Sequence, residues 1–188
     1  MSERNPEIQY RPVTRETASG LTAFSGCHGK FGYCSCMRWR MASAEYQKST
    51  KETRSKKLRR MVSAGVPVGV LAFAGSEAIG WCSIAPRETY EGLERYKALP
   101  RIDDAAVWSV VCFFIDRRFR RRRLTLGLLN AGLDYARAQG AKIVEGYPVE
   151  PGTRLYTYMG SPATFRKAGF DDVTPKGQQR KVVRRAFS

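Results

Sequence analysis

The chain has 188 residues and a formal charge of +16, from 33 Lys+Arg against 17 Asp+Glu, with 43% apolar and 11% aromatic residues. A chain of this length and composition folds around a core of its own, which excludes a disordered polypeptide. No stretch reaches the ~18–20 unbroken apolar residues of a membrane span, and MSERNPEIQYRP contains no apolar signal core, so a cytoplasmic protein with no membrane partner is expected.

A first strand is expected at residues 8–13, followed by a helix that Thr14 caps and that runs to about Phe24. SGCHGKFGYCSC reads as a loop. Ser43 or Ser49 opens a second helix ending near Ala64-Gly65. Its KETRSKKLRRM segment is read as a solvated basic face, with Leu58, Met61 and Val62 turned inward. VPVGVLAFAG and AIGWCSIAP form a hairpin joined at Gly75-Ser76. The charged stretch PRETYEGLERYKALPRIDD is irregular or partly helical.

AVWSVVCFFI has the continuous apolar character of a strand buried on both faces. In LTLGLLNAGLDYARAQG, Leu124, Leu128, Ala131 and Tyr135 form one helical stripe, widened by Leu126, Leu129 and Leu133, and Gly140 suits the C′ position. KIVEGYPV is a further strand. The strand–helix–strand order predicts a right-handed crossover and a parallel pair. The short helix SPATFRKAG and a last strand or hairpin, RKVVRRAF, complete a mixed α/β (α+β) chain with one central sheet.

Between the apolar strand and the leucine-rich helix lie six arginines in seven positions, Arg117 to Arg123, interrupted only by Phe119. Unpaired N–H groups and a partial positive charge at a helix N-terminus attract phosphate, and guanidinium groups add permanent bidentate donors. This turn therefore reads as a phosphate cradle, with a nucleic-acid patch and an inert solvated turn as the other two readings.

Of the five cysteines, Cys82 and Cys112 lie in apolar runs and are read as buried thiols, and disulfides are not expected. Cys27, His28, Cys34 and Cys36 have the ligand types for zinc but not a standard finger spacing, so free thiols are expected and no metal. Glu145 and Tyr147 stand two apart on one strand face and are candidates for base and acid. A satisfied ion pair and a packed aromatic ring are the alternatives. Tyr156 and Tyr158, just before the short helix, are further candidates to reach the site.

The order of elements, the turn Arg120-Arg121-Arg122-Arg123-Leu124-Thr125 followed by Leu128-Leu129, and the TFRKAGF segment ending in Gly169-Phe170 resemble the GNAT superfamily of acetyl-CoA-dependent N-acetyltransferases. The resemblance spans essentially the whole chain, and residues 107–170 carry most of it. It implies one acetyltransferase domain over residues 1–188, with a twisted mixed sheet whose strands splay at the acetyl-CoA site. Acetyl-CoA would be held by Phe113, Phe114, Ile115, Arg120, Arg121, Arg122, Arg123, Leu124 and Thr125. It also implies direct transfer to an amine, with Glu145, Tyr147 and Tyr158 as the catalytic candidates.

By the same likeness the 27–39 loop would build the acceptor site from Tyr33, Cys34, Cys36 and Trp39. Homodimers are common in the superfamily. Two positions depart from its pattern. Arg123 and Thr125 replace the small turn residues, and Phe165 stands where members often carry a tyrosine acid. Both departures, and the charge, keep open the alternative of a nucleic-acid-binding or regulatory module on a weakened transferase fold. Asp103, Asp104, Glu88, Glu91 and Glu94 are the candidates for an acidic acceptor pocket.

Overall fold

The computed structural model describes residues 7–27 and 34–187. Among the described residues, seven strands form one sheet in the order β1-β2-β3-β4-β5-β7-β6. They are β1 (Ile8–Pro12), β2 (Val70–Ala74), β3 (Glu77–Pro86), β4 (Trp108–Ile115), β5 (Ile143–Gly146), β6 (Asp171–Asp172) and β7 (Val183–Ala186). β4 and β5 are parallel and every other pair is antiparallel. The helices are α1 (Ala18–Cys27), α2 (Ser43–Lys48), α3 (Lys51–Ser63), α4 (Glu91–Glu94), α5 (Leu124–Ala138) and α6 (Pro162–Lys167).

The expected elements recur, with three local differences. α1 begins at Ala18, after a turn in which the Thr17 hydroxyl accepts from the Thr14 N–H and donates to the Pro12 carbonyl. The second helix is two helices. Ser43 contributes no side-chain cap to α2, whereas Thr50 accepts from the Thr53 N–H and starts α3 afresh. Arg54, read from sequence as part of the solvated face, is buried. Its Nη1 donates to the carbonyl and hydroxyl of Ser49, and its guanidinium lies over Tyr46. Leu58 and Val62 are buried beside it.

The sheet is covered on both faces. α5 lays Leu124, Leu128, Leu129, Leu133 and Ala136 on one face, against Val70, Ile84, Val110 and Val144. At β1 the Tyr10 side chain lies over Gly127, where a Cβ would come within 2.1 Å of its hydroxyl. α1 and α3 pack Leu21, Phe24, Leu58 and Val62 on the other face, against Leu71, Phe73 and Trp81. A third cluster packs Trp39, Tyr90, Leu93, Tyr147 and Met159 with Ala85 of β3 and Val111 of β4.

Two irregularities in β4 shape the site. The register with β3 slips so that Ser83 faces Cys112 and Ile84 faces Val110, leaving Val111 as an extra, bulged residue. The parallel pairing with β5 covers only Trp108, Ser109 and Val110, opposite Val144, Glu145 and Gly146. Beyond that point β4 stays on β3 while the chain after β5 leaves the sheet, so the two parallel strands part.

Candidate active site

The open edge of β4 follows from strand alternation. The Asp116 N–H donates to the Ile79 carbonyl at 2.8 Å, so residues in phase with it, Phe114 and Cys112, face β3. Phe113 and Ile115 therefore turn their N–H groups toward the gap. The Ile115 carbonyl is taken by Arg120 Nε at 3.2 Å.

The strand runs into the arginine turn, where residues 117–119 form a 3-10 turn capped by Asp116. Arg118 is committed to protein partners, bonding the carboxylates of Asp116 and Glu77. Arg121 and Arg123 are exposed and have no carboxylate partner among the described residues. Both are left-handed, with φ of 66° and 58°. A non-glycine residue there costs about 1–2 kcal/mol, so arginine holds the backbone that glycine usually serves. Left-handed residues in a turn are one way a chain brings successive N–H groups to an anion. Arg123 gives α5 no side-chain cap and the first turn carries no acidic residue, so the chain offers no anion of its own to this helix end. These features fit a diphosphate.

Glu145 and Tyr147 lie beside the parallel pair, in a closed network. Glu145 Oε1 accepts from Arg87 Nη1 and from the Tyr147 hydroxyl, each at 2.6 Å, and Oε2 accepts from Arg184 Nε at 2.7 Å. Arg87 also bonds Glu94, the Leu99 carbonyl and Tyr147, and Ser109 bonds Tyr147 at 2.7 Å. Arg184 grips Asp103 with both Nη atoms. Glu145 and Arg87 are each 1% exposed. Burial, then the neighbouring Glu145, pushes the Tyr147 phenol well up. The arrangement is the satisfied ion pair of the sequence alternatives.

Tyr158 is placed differently. It lies in the 3-10 turn Thr157–Met159, which packs against β4, and is half-buried. Cys112, Cys34 and Arg38 are close enough to act on its ionisation; burial dominates and pushes it up, so it stays protonated. Cys36 is fully buried and accepts from Trp81 Nε1 at 2.8 Å, while Cys34 is half-buried. Trp39 packs on Tyr96 and Tyr156. The structure thus brings Tyr158, Cys34, Cys36, Cys112 and Trp39 together on one side of β4. Tyr33, His28 and the Cys27 side chain lie outside what is described. Phe165 is wholly buried and plugs the space over Gly146, where a Cβ would meet its ring at 2.3 Å.

Three of the five candidates for the acidic pocket are paired with arginine, while Glu88 and Asp104 are exposed. Glu94 is bonded to Arg87 and Arg101, Asp103 to Arg184, and Glu91 to Arg95. Arg87, Arg95 and Arg101 lie in the same charged stretch as the carboxylates they bond, and only Arg184 comes from a distant segment.

Solved acetyltransferase structures share this architecture at low sequence identity. A GNAT-family acetyltransferase from Streptococcus pneumoniae matches with 15% identity and a TM-score of 0.52, covering 97% of this chain and 100% of that one. The paia N-acetyltransferase from Thermoplasma acidophilum, in complex with coenzyme A, matches with 14% identity and a TM-score of 0.52, over 96% and 99% of the two chains. A ribosomal-protein-alanine N-acetyltransferase from Brucella melitensis matches with 15% identity and a TM-score of 0.55, over 95% and 99%. No curated protein matches the chain. The fold is that of an acetyltransferase. Residues 34–160 match the family model described as acetyltransferase (GNAT) family, and the chain belongs to that family. Its chemistry is acetyl transfer, with acetyl-CoA as co-substrate. No helix among the described residues is long and apolar enough to cross a membrane.

Proposed function

We propose that the protein transfers the acetyl group of acetyl-CoA directly to a primary amine of a small molecule or protein. The observation that carries this is the open edge of β4 running into an arginine turn and an uncapped helix end. In this reading the turn Arg120–Thr125 holds the diphosphate. The N–H groups of Phe113 and Ile115 hold the carbonyl groups of the coenzyme arm along the gap, and such preorganised donors stabilise negative charge developing on a thioester oxygen.

The nucleophile is the neutral amine, whose nitrogen forms the new C–N bond as the C–S bond breaks. The nitrogen of the adduct carries the proton that the departing thiolate needs, and water passes it between them. Tyr158 serves as a hydrogen-bond donor to that thiolate. Its raised pKa keeps it from surrendering a proton to a thiolate, a weaker base than its own phenolate. A donor held against developing charge helps without full proton transfer. Glu145 and Tyr147 set the β4–β5 geometry and take no part in the proton path.

Calorimetric titration with coenzyme A tests the donor site. The double variant Arg121→Glu, Arg123→Glu weakens binding by roughly ten- to a thousandfold, one or two charge-assisted hydrogen bonds reversed, while the melting temperature holds. An unchanged affinity, or no binding to the wild type at micromolar coenzyme in low salt, refutes the reading. Salt-dependent binding to RNA with no acetyl turnover would favour the regulatory alternative instead.

A further inference from the structure

The acceptor side of β4 has a charge pattern that the coenzyme does not explain. In the neighbouring network each arginine has a carboxylate: Arg87 has Glu94 and Glu145, Arg184 has Asp103 and Glu145, and Arg101 has Glu94. Arg38 and Arg180 have none among the described residues. Both act on the same ring, that of Tyr156.

The Arg180 guanidinium lies over Tyr156 at 4.6 Å from the ring centroid. Its Nε and Nη1 are buried with no hydrogen-bond partner among the described residues, and its Nη2 reaches only the Met159 sulfur at 3.4 Å. Trp39, 2% exposed, packs on the same ring at 5.8 Å, and its indole N–H has no partner either. Arg38 is half-buried and stacks on Trp39 at 5.2 Å. Buried donors without acceptors are costly and rare. Three such N–H groups and two uncompensated positive charges around one tyrosine call for an oxyanion the chain does not supply.

Tyr156 is the cover over these donors. It is held by its hydroxyl contact with Tyr96 at 3.0 Å, and the segment before it, residues 150–155, is exposed throughout. On its other side is Tyr158, at 6.2 Å between ring centroids. The donor cluster is therefore one ring away from the group placed at the thioester.

We infer that the amine acetylated here also carries an oxyanion, a carboxylate or a phosphate, which displaces Tyr156 and is gripped by Arg180 and Arg38. The inference rests on the transferase reading above and names the acceptor class. A guanidinium fork suits both anions, so their shared chemistry is what is recognised. A polyamine finds no uncompensated carboxylate in this cluster among the described residues.

Acetyl transfer to matched pairs tests this: tyrosine against tyramine, leucine against isopentylamine, and phosphoethanolamine against ethanolamine, with spermidine alongside. The anionic member of a pair is favoured roughly ten- to a hundredfold in kcat/KM, chiefly through KM. The amino-acid and phosphate arms identify which anion is used. In Arg180→Gln and Arg38→Gln that preference shrinks toward unity. Should either variant fail to fold, the wild-type ratios decide alone. Equal or better use of the decarboxylated amines or spermidine overturns the inference. So does the absence of turnover with every anionic acceptor. Coenzyme A affinity is measured on the same samples: its loss strikes the transferase reading, and its retention confines a failure to the acceptor class.

Discussion

Glu145→Gln separates an anchoring carboxylate from a catalytic one. The substitution keeps the shape and replaces one acceptor oxygen by an N–H₂ group facing a guanidinium. In the native chain Oε1 and Oε2 answer Arg87 and Arg184 at 2.6 and 2.7 Å, and Glu145 and Arg87 are 1% exposed. Breaking one side of so buried a pair costs about 3–5 kcal/mol, because the partner is left charged and unsolvated. For a chain of this size each kcal/mol moves the melting temperature by roughly 2–4 °C, so a fall of about 6–20 °C is expected. Circular-dichroism melts measure it, and acetyl transfer is then assayed well below the variant's midpoint. There kcat falls only modestly and the pH profile keeps its shape. A melting temperature within a degree or two of wild type, with kcat lowered about a hundredfold or more and the acid limb of the profile gone, would restore Glu145 as the base and refute the anchor.

Tyr158→Phe lowers kcat about ten- to a hundredfold, the loss of one donor to developing charge, while calorimetric affinity for coenzyme A is unchanged; equal loss in affinity would mark the ring as a packing element. Phe165→Tyr gives no rise in activity and destabilises by about 1–3 kcal/mol, since the added hydroxyl enters a filled space over Gly146, as denaturant unfolding should show. Burial alone would raise Glu94, but hydrogen bonds from Arg101 and Arg87 outweigh it and hold it below its ordinary 4.5. Its contribution is therefore complete above pH 4.5 and drains away as pH falls through the lower folded value. Glu94→Gln narrows the gap between melting temperatures measured in neutral and in acid buffer, and an unaltered gap would count against that coupling.

The donor side of the fold was legible because it is local. The β4 strand, the arginine turn and α5 are consecutive, and apolar periodicity with one charge run marks them. The parallel pair follows from the helical crossover, and Gly75 and Gly140 carry the positive φ that their turns require. Arg54 was misread for a physical reason: helical spacing shows which face it shares, but its stacking on Tyr46 and its bonds to Ser49 depend on the kink between α2 and α3. Glu145 was legible as a buried carboxylate in need of a partner. Which partner answered it was not, since Arg87 and Arg184 lie 58 and 39 residues away from it in the chain.

Of the two replaced turn positions, Arg123 and Thr125, only Arg123 is left-handed; Thr125 already lies in α5. A glycine turn offers an anion only backbone, and close approach does the work. Here Arg121 and Arg123 keep the left-handed backbone at a steric cost and add charge on the exposed side of that backbone. In the proposed donor site the added charge is expected to tighten the hold on a diphosphate, and the coenzyme A affinity of the Arg121→Glu, Arg123→Glu variant checks it. Excess positive charge at the donor end also raises the local concentration of any anionic acceptor. With Arg38 and Arg180 lacking carboxylates among the described residues, a chain at +16 suits the proposed reading at both ends of the gap: the diphosphate would sit at the turn and the oxyanion of the acceptor beneath Tyr156, so that only the amine and the thioester meet between them.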